Sequence, residues 1–191
     1  MTTWIRDRAT WSAWVLAIAG AGVLVMASLT FIGSRGYGYD FAAYDAAARR
    51  IVEGAALYLP DTAQRYAAGA YEGLYLYPPP LAVALLPLTA LSADAATLVW
   101  FIARIVALAI GCLVLPVALR VRLTVFAVAC VSYPVLFDLN LGNVSVLTFA
   151  LTAAAWRASG SWPAALAHAT LIAIRQPFGI FFVMWAARWD A

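Results

Sequence analysis

The sequence predicts an all-α, polytopic transmembrane helical bundle with a long extracytoplasmic first loop that contains a surface helix. Three observations predict it. Apolar residues make up 65% of the 191 and charged residues only 11%, with a mean hydropathy of +0.88, whereas soluble domains carry roughly 25% charged residues. The apolar residues fall into successive runs of helical length. Between the first two runs lies a polar interruption, 36–80, that holds Asp40, Asp45, Glu53, Asp61 and Glu72, five of the nine acidic residues. The chain reads as a single membrane domain, 1–191, with 36–80 as its extracytoplasmic loop.

The first run, Trp11 to Ile32, is about 22 residues long, and roughly 20 helical residues cross the hydrocarbon core. A cleaved leader has a shorter apolar region of about 7 to 15 residues and a small-residue cleavage site, so this run reads as a retained span. Arg6 and Arg8 precede it. By the positive-inside rule they keep the amino terminus cytoplasmic and place the 36–80 loop on the extracytoplasmic face. The chain is thus expected in the cell (plasma) membrane as a multi-pass protein. The net charge of +3 is carried without a single lysine and gives no reason to expect nucleic acid as a partner; membrane lipid is the expected one.

Within the loop, Phe41, Tyr44, Ala48 and Ile51 or Val52 recur at helical spacing, and Asp45, Arg49 and Glu53 share another face. Gly54 stops the pattern. An apolar stripe beside a charged face suits a helix lying along the membrane surface. Asp40 stands at its start, where a carboxylate can accept the free backbone N–H groups of the first turn; capping and chemistry are both open to it. The tyrosines at 58, 66, 71, 75 and 77 suit anchoring at the water boundary, with one or two left to line a site and stack on sugars.

Further apolar runs follow at Leu81–Leu91, Ala95–Leu119, Leu123–Phe137, Val144–Trp156 and Ala164–Ala187. Several are too short to cross, so at least one is expected to be a half-helix or a broken element. If Leu81–Leu91 crossed, Arg120 and Arg122 would face outward against the charge rule. If it only dips into the outer leaflet, both are cytoplasmic and the Asp138–Asn143 turn emerges beside the Asp40 loop; this arrangement is preferred. Cys112 and Cys130 lie in apolar runs with no metal or disulfide spacing and read as small buried hydrophobes. Neither a metal nor a cofactor is called for.

Ionisable groups inside the later runs are costly in lipid and become functional candidates. Arg104 sits near the middle of its run; His168 and Arg175 are seven residues apart, which would put them on one helical face. Pairing with a neighbouring carboxylate or carbonyl is the plainer reading of each. Phe178, Phe181, Phe182 and Met184 read as packing.

Taken together, these residues resemble the family of polytopic membrane mannosyltransferases that use polyprenyl-phosphate-linked mannose, glycosyltransferase family 87. The matching stretches are Asp40-Phe41-Ala42-Ala43-Tyr44, Gly54 with Leu57-Tyr58, and Tyr77-Pro78-Pro79 followed by Leu85-Leu86-Pro87-Leu88. Leu141-Gly142-Asn143-Val144, after Ser132-Tyr133-Pro134-Val135, resembles the family's Gly-Gln-x-Asn turn with Gln replaced and the spacing shortened. Arg175-Gln176-Pro177 resembles its Lys-x-x-Pro element with Arg for Lys. The resemblance implies a GT-C type fold, of which this chain is the amino-terminal portion, and inverting transfer of mannose from a polyprenyl-phosphate-sugar donor to a lipid or glycolipid hydroxyl acceptor.

On that reading Asp40 is the general base, and Tyr44, Tyr77, Asn143, Arg104, His168 and Arg175 bind substrate, with Arg104 or Arg175 on the donor phosphate. The alternative is a transporter or lipid-handling membrane protein in which Arg104, His168 and Arg175 line a pathway. The run ending at Trp185–Ala191 is also compatible with a truncated relative. The 191 residues alone are then expected to be inactive, and either to associate with a second membrane chain or to be marginally stable.

Overall fold

The computed structural model of the chain describes residues 2–32, 34, 37–70 and 73–175, with side chains from residue 9 onward. Every regular element among them is helical: α1 (Thr2–Phe31), α2 (Tyr39–Val52), α3 (Thr62–Ala67), α4 (Pro79–Ala84), a 3-10 turn (Leu86–Ala90), α5 (Ala93–Val114), α6 (Leu119–Val131), α7 (Tyr133–Leu141), α8 (Ser145–Arg157) and α9 (Trp162–Ile174). The all-helical membrane architecture predicted from the sequence is the one found.

The apolar part of α1, Ala9–Phe31, and α5 are 23 and 22 residues long. At about 1.5 Å per residue each spans roughly 33 Å, enough for the hydrocarbon core. Together α6 and α7 would make a third span, but they bend by 62° at Ser132. Pro134 supplies the cause: a helix continuing through it would lose a hydrogen bond and set the proline ring against the carbonyl one turn back. The 81–91 run is the six-residue α4 plus the 3-10 turn, too short to cross; the broken elements expected from the short runs are therefore real.

Small residues set the helix crossings. Ala13 and Ala17 of α1 pack with Leu123 of α6, and Leu24 shares a buried cluster with Cys130, so α1 and α6 run parallel. Between those points Gly20 lies so close that a Cβ there would sit 3.0 Å from the Ala127 backbone. Gly111 of α5 does the same against Phe149 and Ala150 of α8, where an added Cβ would lie 2.7 Å from the Phe149 ring. Such glycine contacts let helices approach where lipid offers no hydrophobic drive. Both cysteines are fully buried in this packing.

One end of the bundle gathers the last turn of α1, the first turns of α5 and α8, the α7–α8 turn and the end of α9. The opposite end carries Arg120 and Arg122 in the first turn of α6 and Arg157 at the end of α8.

Helix α2 lies across the first of these ends. Its apolar stripe is not left to the membrane surface: Phe41, Tyr44, Ala47 and Ala48 are buried against Tyr75, Leu81, Leu85, Trp100 and Val144. The stripe expected for lipid is covered by protein, because α4, the 3-10 turn, α5 and α7 close over it. Its charged face is turned to the same purpose. Arg49 donates from Nε to Asp45 at 2.8 Å and from its two terminal nitrogens to the Thr89 and Leu91 carbonyls, fastening the 3-10 turn.

Candidate functional site

The site is built where the first loop meets the α7–α8 turn. Gly38 starts α2 in the left-handed region, φ 73°, and its N–H donates to the Asn140 carbonyl at 2.8 Å. Ser34 Oγ donates to Asn140 Oδ1 at 3.2 Å. On the other side Gly142, φ 85°, ends α7 so tightly against α2 that a Cβ would lie 2.8 Å from the Phe41 Cβ. Both the positive φ and the close approach call for glycine. Trp100, stacked on Phe41 with centroids 5.4 Å apart, donates Nε1–H to the Gly142 carbonyl at 2.8 Å.

This seam presents Asn143 to Asp40. The Ser145 backbone N–H, which can only donate, lies 3.1 Å from the Asn143 side-chain oxygen Oδ1; the amide is thereby oriented, and Nδ2 donates to Asp40 Oδ2 at 2.7 Å. The same Nδ2 lies 3.4 Å from the Tyr77 hydroxyl. No other described residue bonds the Asp40 carboxylate. Asp40 is also not the helix cap: α2 begins one residue earlier, behind Gly38, and no side chain caps it. The carboxylate is spent on Asn143 instead of on the backbone.

Tyr44 packs edge-on against Tyr77, centroids 5.1 Å apart, with its hydroxyl buried. Burial first, then Tyr77 and more distantly Asp40 and Asp138, push its hydroxyl well above the ordinary tyrosine value, so it is a neutral group. Arg175 donates to Ser145 Oγ at 3.3 Å, and Ser145 Oγ donates to Asn143 Oδ1 at 2.8 Å. A chain of contacts thus runs from Arg175 through Ser145 and Asn143 to Asp40. Beside it opens a cleft of about 330 Å³ lined by Tyr58, Leu76, Tyr77, Pro78, Pro79, Ile174 and Arg175. Among the described residues no group of three or more His, Cys, Asp or Glu side chains gathers as metal ligands would.

Arg104 and His168 sit differently. Arg104 is 1% exposed, and its terminal nitrogens donate to the Asp138 and Leu139 carbonyls at 2.8 Å each; it holds the end of α7 beneath the seam. His168 has Nδ1 2.8 Å from the Ala164 carbonyl one turn back in α9. His168 and Arg175 do not share a helical face, because α9 stops at Ile174 and Arg175 is extended, φ −142°. Gln176 and Pro177 of the motif, and Phe178, Phe181, Phe182 and Met184, lie outside the described residues.

Three residues escaped the sequence reading. Trp100 lies four positions before Arg104 on one face of α5, the spacing of helical neighbours, and was legible in principle. Ser145 follows Asn143 by two, a separation at which Asn commonly bonds a backbone N–H. Asp138 carried no local signal.

The model of glycosyltransferase family 87 matches residues 75–191, more than half of the chain. The chain belongs to glycosyltransferase family 87. No curated protein and no solved structure matches it. The matched region of this family 87 member contains Tyr77, Arg104, Asp138, Asn143, Ser145, His168 and Arg175, whereas Asp40 and Tyr44 precede it. Membership makes the chain a relative of membrane glycosyltransferases, with a lipid-linked sugar donor and a membrane acceptor as the general chemistry of the family.

Proposed function

We propose that this family 87 chain carries the base and the donor-facing arginine of a site that moves mannose from polyprenyl-phosphate-mannose to a lipid or glycolipid hydroxyl, at the extracytoplasmic face of the plasma membrane. The observation that carries the reading is the 2.7 Å bond from Asn143 to Asp40 beside a cleft that also holds Arg175. The bond fixes one oxygen of the carboxylate and leaves the other to accept a proton. Arg120, Arg122 and Arg157 lie at the end of the bundle opposite to Asp40, a cytoplasmic side in the orientation proposed, while at Asp40's end Arg49 is paired with Asp45 and Arg50 bonds the Leu57 carbonyl.

In the proposed reaction the acceptor oxygen bonds to the anomeric carbon as the bond from that carbon to the phosphate oxygen breaks. The hydroxyl proton passes to Asp40, and the electron pair leaves on the polyprenyl phosphate. A positioned base contributes a factor of about 10²–10⁴. The Arg175 guanidinium, which stays charged and can make two parallel bonds, meets the departing phosphate. Arg104 has its terminal nitrogens committed and positions α7. Tyr77, in the cleft wall, offers a ring and a hydroxyl for the sugar, whereas Tyr44, 1% exposed, backs the Tyr77 ring and does not reach the cleft.

Sealed membranes containing the chain, given labelled polyprenyl-phosphate-mannose or labelled nucleotide-mannose together with a lipid extract, test the reading. Label should reach lipid from the polyprenyl donor only, and from donor supplied to the extracytoplasmic face. Transfer from the nucleotide sugar instead would overturn it.

A further inference from the structure

Ser145 stands where the two arms of the site meet. It is the first residue of α8, and Arg175 follows the last residue of α9. The two helices have 13 residues each and pack side by side, which brings positions 145 and 175 together across the whole length of both. A serine at a helix start commonly caps the first turn. This one does not: Val144 holds the cap position and no side chain caps α8. Its hydroxyl instead donates to Asn143 Oδ1 at 2.8 Å and accepts from Arg175 Nη1 at 3.3 Å.

The Ser145 backbone N–H, 3.1 Å from the same Oδ1, already orients the Asn143 amide. What the hydroxyl adds is the link to Arg175. Ser145 Oγ is the one hydrogen-bond partner that the described residues give the Arg175 side chain, and Arg175 lines the cleft. A guanidinium carries five N–H donors in a rigid fork, so an anchor on Nη1 leaves the Nε–Nη2 edge whole.

We infer that Ser145 is a positioning residue for the donor phosphate: its hydroxyl pins Nη1 of Arg175, so that the Nε–Nη2 edge makes the paired bonds to the phosphate, and it ties that cation to the Asn143–Asp40 pair. The inference rests on the proposed polyprenyl-phosphate donor and deepens the part given there to Arg175. An unpinned arginine gives up its rotamer freedom only when the phosphate arrives, which weakens binding; a pinned one has given it up already. For one long side chain the difference is about three- to tenfold in affinity.

The test is equilibrium binding of polyprenyl-phosphate-mannose and of the uncharged polyprenol to the full chain in nanodiscs. Ser145→Ala, and Ser145→Cys, which keeps the size but is a weak acceptor, should weaken the phosphorylated lipid about three- to tenfold and leave polyprenol unaffected. Ser145→Thr keeps the hydroxyl and should bind like the wild type. In an Arg175→Gln chain, Ser145→Ala should weaken binding no further. In steady-state transfer the loss should fall on the donor KM, with kcat better preserved than in Asn143→Ala because the backbone N–H of residue 145 still orients the amide.

Undiminished donor binding in folded Ser145→Ala or Ser145→Cys overturns the proposal. So does equal weakening of both lipids, or a full effect of Ser145→Ala that persists in the Arg175→Gln chain, since either makes Ser145 a packing residue. If the wild-type chain prefers the phosphorylated lipid and the Ser145 variants fail to change that, the donor reading stands and the role of Ser145 falls. If the wild-type chain does not distinguish the two lipids, the donor reading falls and takes this proposal with it.

Discussion

Asn143 Nδ2 donates to Asp40 Oδ2 at 2.7 Å across 103 residues of sequence. The bond joins the first helix after span one to the turn between α7 and α8, so the carboxylate is aimed by a partner it could not find locally. Asn143→Ala should release it. A hydrogen bond to a charged group is worth about 1.5–3 kcal/mol, and turnover should fall roughly tenfold to a hundredfold with little change in the melting temperature. Asn143→Ser, which can still donate, should recover part of the loss; steady-state transfer with thermal unfolding of the same preparations checks both.

Gly142 should tolerate no side chain. Its φ of 85° and the 2.8 Å approach of an added Cβ to the Phe41 Cβ act together. A left-handed conformation costs an L-residue about 1–2 kcal/mol, and the backbone of α2 must also shift. Gly142→Ala should therefore lower thermal stability and activity in parallel, whereas Gly54→Ala, with φ 68° but open space around it, should show the conformational cost alone.

The two arginines should separate in their effects. Arg104→Lys cannot reach both the Asp138 and Leu139 carbonyls, and the lost bond should cost on the order of 2 kcal/mol of stability. Arg175→Lys should leave the melting temperature nearly unchanged and raise the apparent KM for donor, since a point charge lacks the paired geometry of a guanidinium. Equal destabilisation by both substitutions would make Arg175 structural.

Tyr75 ties the polar loop to α4. Its hydroxyl donates to the Pro78 carbonyl at 2.6 Å and accepts from the Ala82 N–H at 3.0 Å. Burial pushes the hydroxyl up to about 12 from the ordinary 10, partly offset by the Ala82 bond. The folded chain thus holds this proton more tightly than the unfolded chain. The contribution to stability is full below pH 10 and is lost as the pH rises from 10 toward 12. Tyr75→Phe should be less stable at pH 8 and should flatten that alkaline decline, as thermal unfolding across the pH range will show.

Much of the fold was legible because its signals are local. Run lengths gave α1 and α5, and the spacing of Phe41, Tyr44 and Ala48 gave α2; a broken element was expected among the short runs, but Leu123–Phe137 read as one run although it bends at Ser132. The meeting of the Asp138–Asn143 turn with the first loop followed from the charge rule applied to Arg120 and Arg122. What covers the apolar stripe of α2 was not legible, since an amphipathic pattern states which face is apolar and not whether protein or lipid meets it. Asp40 read equally well as a cap, because capping is a local possibility whereas its partner is far away in sequence. Asp138 escaped for the same reason: the bond its carbonyl accepts from Arg104 depends on α5 and α7 meeting.

The central claim is that Asp40 accepts the proton of the acceptor hydroxyl. Its most direct test is mannosyl transfer from polyprenyl-phosphate-mannose in membranes containing wild-type chain or Asp40→Asn at equal abundance. The amide keeps an oxygen toward Asn143 but has no basicity, and it leaves α2 intact because Asp40 does not cap the helix. Turnover should fall by about 10²–10⁴ while donor binding persists; near-normal turnover in Asp40→Asn would contradict the account.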